Sequence, residues 1–346
     1  MNLITGATGL LGSHIVEQLA IRSRPVRALV RPGADVAWLK TQPVELVEGD
    51  LTDPDSLARA CDGVECVYHA AARVGDWGPW RDFVRISIDG TANILAAAIA
   101  AKVKRFIHIS SISTYGHIKT DGLVLDESAP PGVPGRNVHR WAYYTRSKIL
   151  ADELVWQAHH RDGLPVTFVR PSWIYGPRDR ATIARLIRLI RTKRAKILGR
   201  GDNRMNVVYA GNVAEACILA ADSEEAVGQA YNCSHDGEIT QQEYFDAIAD
   251  ALGAPRVKRH VPFGVAYGLG FVLECVGHLL RLRRPPMVTR YAVWLTGRRC
   301  FFKSRKIREQ LGFRPTMSYQ QGIPLTVQWY LQQVEGAQPS PPLAAS

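Results

Sequence analysis

The sequence of 346 residues is 46% apolar and 22% charged, with a formal net charge of +11. Those proportions are those of an ordinary globular chain with a sizeable core, built as one large domain or two closely joined ones. The six scattered cysteines form no C-x-x-C pair, which favours reduced thiols in the cytoplasm over a disulfide or zinc framework, and no metal site is expected. The positive charge is uneven: ten Lys/Arg against two Asp lie between Arg178 and Arg204, and thirteen against Glu274 alone between Arg256 and Arg308. These runs are either solvated helix faces or sites for an anionic partner, such as a phospholipid surface or an acyl thioester of coenzyme A. No nucleic-acid-binding motif accompanies them, so no nucleic acid is expected as partner.

The chain opens on an apolar run, Leu3 and Ile4, that ends in Thr5. Glycines follow at 6, 9 and 12, and Ile15, Val16 and Leu19 then have helical spacing. Strand, glycine turn and helix in this order predict a dinucleotide site. Gly6 permits the turn, Gly9 lets backbone approach a pyrophosphate, and Gly12 lets helix and strand pack closely. Thr5, Gly6, Thr8, Gly9, Leu10, Leu11 and Gly12 are therefore candidate cofactor contacts. With a core strand beginning almost at Met1, no signal segment is expected.

Pro25–Val30 reads as the second strand. Where NAD-selective folds usually carry an acid for the ribose 2′-hydroxyl, it has Val30 followed by Arg31. Arginine can pair with a 2′-phosphate, so NADP(H) is favoured as cofactor, with NAD(H) as the alternative. A third strand, Val44–Val47, leads to Gly49-Asp50-Leu51; Asp50 either meets the adenine edge, with Leu51 beside it, or caps the helix Pro54–Cys61. A fourth strand, Val64–His69, runs into Ala70-Ala71-Ala72, small enough for a cofactor to lie close. In the loop Arg73–Trp80, Trp77 and Trp80 are either pocket walls or packing groups.

A helix is predicted over Ser87–Ala101 and a fifth strand over Arg105–Ile109. The alternation is that of a doubly wound parallel sheet, whose ligands bind at the carboxyl ends of its strands. Chemistry is therefore expected in Ser110-Ser111-Ile112-Ser113-Thr114-Tyr115. After a polar, proline-rich loop (Lys119–Arg140) comes a helix, Tyr143–Ala158, with Tyr144 and Lys148 one turn apart on one face. A sixth strand, Val166–Arg170, ends in Pro171-Ser172-Trp173-Ile174-Tyr175. The alternation then fades into a helix near 181–194, a short element at Val207–Tyr209 and a helix at Val213–Ala221. The expected layout is an α/β Rossmann-type domain over 1–172 and a smaller α+β substrate lobe over 173–334. Residues 207–232 are expected to return to the core, and 335–346 to form a disordered tail.

Thr5-Gly6-x-x-Gly9-x-x-Gly12, Asp50-Leu51, Ser110-Ser111, Tyr144-x-x-x-Lys148 and Arg170-Pro171, in that order, resemble the extended short-chain dehydrogenase/reductase superfamily over about residues 1–330. The resemblance implies Tyr144 as acid/base, Lys148 as its electrostatic partner and ribose ligand, and Ser111 as the hydroxyl that orients the substrate oxygen. Tyrosine ordinarily titrates near pH ~10, and a neighbouring ammonium favours its phenolate. Pro171 and Ser172 join the cofactor contacts. The sequence departs from the family at Ser87-Ile88-Asp89-Gly90-Thr91, where Asn-Val-x-Gly-Thr is usual, and at His69-Ala70-Ala71-Ala72, where Asn-Ala-Ala-Gly is usual.

Nucleotide-sugar epimerases and dehydratases of this superfamily typically carry an arginine where Met205 stands here. Gly199-x-Gly201-Asp202-Asn203…Asn212-Val213 and Gly75-Asp76-Trp77-Gly78 instead resemble the 3β-hydroxysteroid dehydrogenase-like branch, with its sterol-4-carboxylate dehydrogenases and bacterial 2-alkyl-3-oxoalkanoate reductases. The end of the second strand is similar to that of dihydroflavonol reductases. Val261–Leu282 is apolar and flanked by Arg/Lys, but its uncharged run up to Glu274 is shorter than the ~20 residues of a membrane span. It fits an interfacial helix, a pocket lid, a buried second-lobe helix or a homodimer contact. The resemblance implies an NADP(H)-dependent oxidoreductase interconverting a secondary alcohol and a ketone on an apolar, sterol-like or 3-oxoacyl-type substrate. It would be cytoplasmic, or peripheral at a membrane surface through 261–284. Ser113, Tyr175 and Met205 join Trp77 and Trp80 as candidate pocket residues. The alternatives are a nucleotide-sugar epimerase/dehydratase with tightly bound NAD, and a non-catalytic NADP-sensing protein.

Overall fold

Alternation along the strands sorts side chains onto two faces of one sheet. In the computed structural model, which describes residues 1–336 except 119, 120, 134, 135, 181 and 335, Leu3 packs into one layer and Ile4 into the other. The tail expected from 335 lies, Gly336 apart, outside the described residues. The strands are β1 (Asn2–Thr5), β2 (Val26–Val30), β3 (Glu45–Glu48), β4 (Cys66–His69), β5 (Arg105–Ile109), β6 (Val166–Pro171) and β7 (Gln229–Cys233). All pair in parallel, in the order β7-β6-β5-β4-β1-β2-β3. Strand order reverses between β1 and β4, and a crevice opens beyond their carboxyl ends.

The helices are α1 (Leu10–Ile21), α2 (Pro54–Cys61), α3 (Trp80–Ala100), α4 (Tyr143–Asp162), α5 (Thr182–Arg191), α6 (Ala210–Asp222), α7 (Gln241–Ala251), α8 (Phe263–Leu279), α9 (Arg290–Gly297), α10 (Arg305–Gln310) and α11 (Tyr319–Val334). One sheet face is covered by α1 and α6 through Ile15, Val16, Val213 and Cys217. The other is covered by α2, α3 and α4 through Leu57, Ile94 and Val155.

The helix expected at Ser87 begins at Trp80, because Pro79 provides an extended N-cap. It crosses Val84–Asp89 as a π turn, so Ser87-Ile88-Asp89 lies inside it. By length and composition α3 could cross a membrane; here Phe83, Ile94, Leu95 and Ala98 are buried in the protein core. Asp53, not Asp50, caps α2, accepting from Asp55 N and Ser56 N. Asp50 instead accepts from the backbone N–H and hydroxyl of Thr52.

Beyond β6 a second core forms around Ile187, Ile197, Tyr244, Ile248, Ile323 and Val327. Two short parallel strand pairs accompany it, Trp173–Tyr175 with Val207–Tyr209 and Ile197–Leu198 with His260–Val261, and a third, Val124–Leu125 with Phe301–Phe302, joins a separate small cluster around Tyr115 and Trp294. The chain recrosses to the sheet twice: α6 and β7 complete one edge, and Ile307 and Phe313, in and just after α10, pack into the α1–α6 layer.

Candidate active site

At the end of β1, Gly6 has φ +73°, a left-handed conformation that a side chain resists, and a Cβ there would meet Ala71 N at 2.8 Å. A Cβ on Gly12 would lie 2.1 Å from the Gly6 carbonyl oxygen. Gly9 is the N-cap of α1 and contributes no side-chain cap, so the helix's positive end meets the crevice as bare backbone. A pyrophosphate fits such a cradle.

A cavity of ≈ 1480 Å³ starts at this turn, runs along the sheet's carboxyl edge and enters the second lobe. Gly6, Thr8, Gly9, Leu10, Leu11, Gly12, Arg31, Asp50, Leu51, Ala70, Ala71, Ala72, Pro171 and Ser172 all line it. Thr5, expected among them, does not: its buried hydroxyl accepts from Ala71 N at 3.2 Å and pairs with His69 Nδ1 at 2.9 Å. Arg31 is exposed at the end of β2. Burial works against the nearby Asp50 carboxylate, yet hydrogen bonds from Thr52 and the charges of Arg31 and Arg85 hold it below its ordinary range. Arg85, also in the cavity wall, carries no sequence signal.

Ser111, Tyr144 and Lys148 meet in the same cavity, where β5 ends beside the first turns of α4. Ser111 caps a short 3-10 turn, its hydroxyl accepting from Ser113 N at 3.1 Å. Burial raises the Tyr144 phenol above its ordinary value; a hydrogen bond with Ser111 opposes this and the Asp152 charge adds to it. Lys148 Nζ donates to the Ile109 carbonyl at 2.7 Å. Burial pulls its pKa down to about 8, with Asp152 pulling upward.

Asp152 is the residue missed by sequence reasoning, although it stands one further turn along the Tyr144–Lys148 face. It accepts from His108 Nε2 at 3.0 Å and from the Ser110 hydroxyl at 2.8 Å, and pairs with Arg170 at 3.6 Å. Burial disfavours its charge, but these partners keep it ionised below the usual carboxylate range. Arg170 also donates to the Tyr115 hydroxyl, which donates to Asn232. The floor under the catalytic helix is thus a buried polar network.

Of the five expected pocket residues, only Ser113 lines this cavity. Trp77 donates through Nε1 to Leu282 O at 2.8 Å and packs on His278. Trp80 lies under the Arg146 guanidinium. Tyr175 and Met205 belong to the second-lobe core, Tyr175 donating to Asp236. Tryptophans in a glycine loop pack as readily as they bind. The wall opposite Tyr144 is instead Tyr291 from α9, its ring edge-on at 6.2 Å.

The profile of the NAD dependent epimerase/dehydratase family matches residues 2–234. The chain is 30% identical over 327 residues to a 2-alkyl-3-oxoalkanoate reductase of Stenotrophomonas maltophilia, covering 93% of this chain and 96% of the relative. It is 28% identical to a decarboxylating sterol-4-alpha-carboxylate 3-dehydrogenase of Mus musculus, covering 94% and 89%. Among solved structures, gox2253 superposes with a TM-score of 0.81 at 28% identity, over 96% of this chain and 98% of that one. The glycine cradle, the Ser111–Tyr144–Lys148 cluster and these likenesses agree: the chain belongs to the NAD dependent epimerase/dehydratase family of extended short-chain dehydrogenases/reductases, and is an NAD(P)-dependent oxidoreductase.

Proposed function

We propose that the protein interconverts a secondary alcohol and a ketone on an apolar substrate, with NADP(H) as cofactor. The observation that carries this reading is continuity. One cavity joins the glycine cradle to Ser111, Tyr144 and Lys148, then to second-lobe walls of Leu186, Leu189, Leu198, Val261 and Leu269. The cofactor would be held by the Gly6–Gly12 turn, Asp50, Ala70–Ala72 and Lys148, and supplies or accepts the hydride. In the reducing direction Tyr144 gives its phenolic proton to the substrate oxygen, and in oxidation it takes that proton back. Burial raises that phenol's pKa, so near neutrality it carries the proton that reduction requires. Ser111 donates to the same oxygen and orients it. Lys148, anchored on Ile109 O, holds positive charge beside the reacting groups.

The epimerase reading draws no support from the segment before Val207. Met205 is buried, and Arg204 pairs with Glu238 at 3.0 Å and covers the Phe301 ring.

Arg31 supports the NADP(H) preference. Titration of the purified protein with NADPH and NADH should give much tighter NADPH binding. Arg31→Glu should weaken NADPH roughly ten- to a hundredfold, the worth of a charged hydrogen bond to phosphate, and leave NADH nearly unchanged. Equal loss of both would remove the 2′-phosphate argument.

Lys148 sets a pH dependence. Its pKa of about 8 predicts that kcat/KM for reduction falls as pH rises through that value, when the ammonium is lost. Stability moves the other way. Between about 8 and its ordinary 10.5 the unfolded chain holds a proton that the folded chain lacks, so unfolding becomes harder as pH rises. A flat rate profile across this window would contradict the assignment.

A further inference from the structure

Helix α8 is apolar around most of its circumference and turns a stripe of large apolar residues outward. Val265, Leu269, Val272, Val276 and Leu279 recur at spacings of four and three, and all face solvent, Val265 at 62% exposure, Val272 at 55% and Leu279 at 82%. The inward face carries small residues and one acid. Gly270 backs onto the Arg290 backbone, Gly277 onto the Trp77 ring, and Glu274 forms a buried pair with Arg290 at 2.7 Å. A helix of a soluble monomer normally has the reverse arrangement.

The stripe is continuous with the substrate cavity: Val265 and Leu269, together with Met287 at 67% exposure, both line the cavity and meet solvent. Exposed cations border it. Arg259 stands near the helix start, Arg281, Arg283 and Arg284 follow its end, and Lys193 and Lys196 rim the cavity mouth. The only acid between Arg256 and Arg308 is the buried, paired Glu274. Two copies joined through this stripe would bring like charges together, whereas an anionic bilayer satisfies both the apolar stripe and its cationic border. At 17 residues, α8 falls short of the ~20 of a membrane span and suits the interfacial plane.

We propose that α8 and its flanking arginines dock the protein on an anionic phospholipid surface, with the mouth of the substrate cavity opening directly onto the lipid. An apolar substrate would then pass from bilayer to active site without crossing water.

Flotation of the full chain with vesicles of phosphatidylcholine alone, and of phosphatidylcholine mixed with phosphatidylglycerol, tests the docking without any turnover. Its failure therefore leaves the proposed reaction untouched. Binding is expected to the anionic vesicles only, and to weaken at high salt. Combined Arg281→Gln, Arg283→Gln and Arg284→Gln should lower it on the order of a hundredfold, from the contribution of each cation near an anionic surface. Val272→Asp with Leu279→Asp, neither in the cavity wall, should also abolish binding while NADPH affinity and thermal melting are retained. Equal binding to neutral vesicles, or binding indifferent to either set of changes, overturns the proposal. So does a dimer in sedimentation that Val272→Asp dissolves while wild-type protein ignores vesicles.

Discussion

Tyr144→Phe is expected to lower kcat about a thousandfold while leaving NADPH affinity unchanged. The substitution removes one hydroxyl and keeps the ring, so the cavity wall and the contact with Tyr291 survive. What disappears is the proton donor hydrogen-bonded to Ser111. General acid catalysis is worth ~10²–10⁴-fold; of the neighbouring phenols, Tyr143 packs against Trp80 and Phe83, whereas Tyr291 lines the same cavity. Single-turnover reduction of an apolar ketone by pre-bound NADPH is the decisive measurement. Retained turnover would assign the proton to Ser111, Tyr291 or solvent. Lost cofactor binding would make Tyr144 a structural residue.

Asp152→Ala is expected to be the most damaging single change to stability, costing about 3–5 kcal/mol, the range for breaking a buried ion pair from one side. It leaves the Arg170 guanidinium and the His108 ring facing a hole without an acceptor, and Arg170 is already buried with its Nε unpaired. Chemical denaturation measures the loss directly. The second consequence is electrostatic. Asp152 is the charge that opposes the fall of the Lys148 pKa. The milder Asp152→Asn keeps one acceptor oxygen, for either the His108 or the Ser110 donor, while removing that charge. It should move the falling limb of kcat/KM from about 8 to lower pH. A stable Asp152→Ala protein with an unshifted pH profile would reduce Asp152 to ordinary packing.

These two residues differ in how they could be found. Tyr144 and Lys148 carry a sequence signature because a single helical turn separates them. Asp152 lies one turn further on the same face, but its meaning depends on His108, Ser110 and Arg170, supplied by two other strands. Trp77 and Trp80 show the converse. A glycine-proline loop with two tryptophans after a cofactor strand looks like a binding wall, yet Pro79 starts a helix there. Leu282 and Arg146, brought in from far along the chain, occupy the two rings.

Local and periodic features are legible in the order of residues. The G-x-x-G-x-x-G turn needs glycine for reasons of φ and close approach that no neighbour alters. Short apolar strand runs alternate along the chain with segments of helical period, and that order specifies a doubly wound sheet. The cap on α2 falls to Asp53 rather than Asp50, because Asp53 stands immediately before Pro54 and reaches Asp55 N and Ser56 N. Long-range folding brings together groups far apart in the chain: Tyr291 opposite Tyr144, His108 and Arg170 around Asp152, Ile307 and Phe313 returning to the sheet. It also decided that the apolar residues of α8 face outward. Periodicity shows that a helix has two faces; which face is buried depends on the small residues that Trp77 and Arg290 require on the other side.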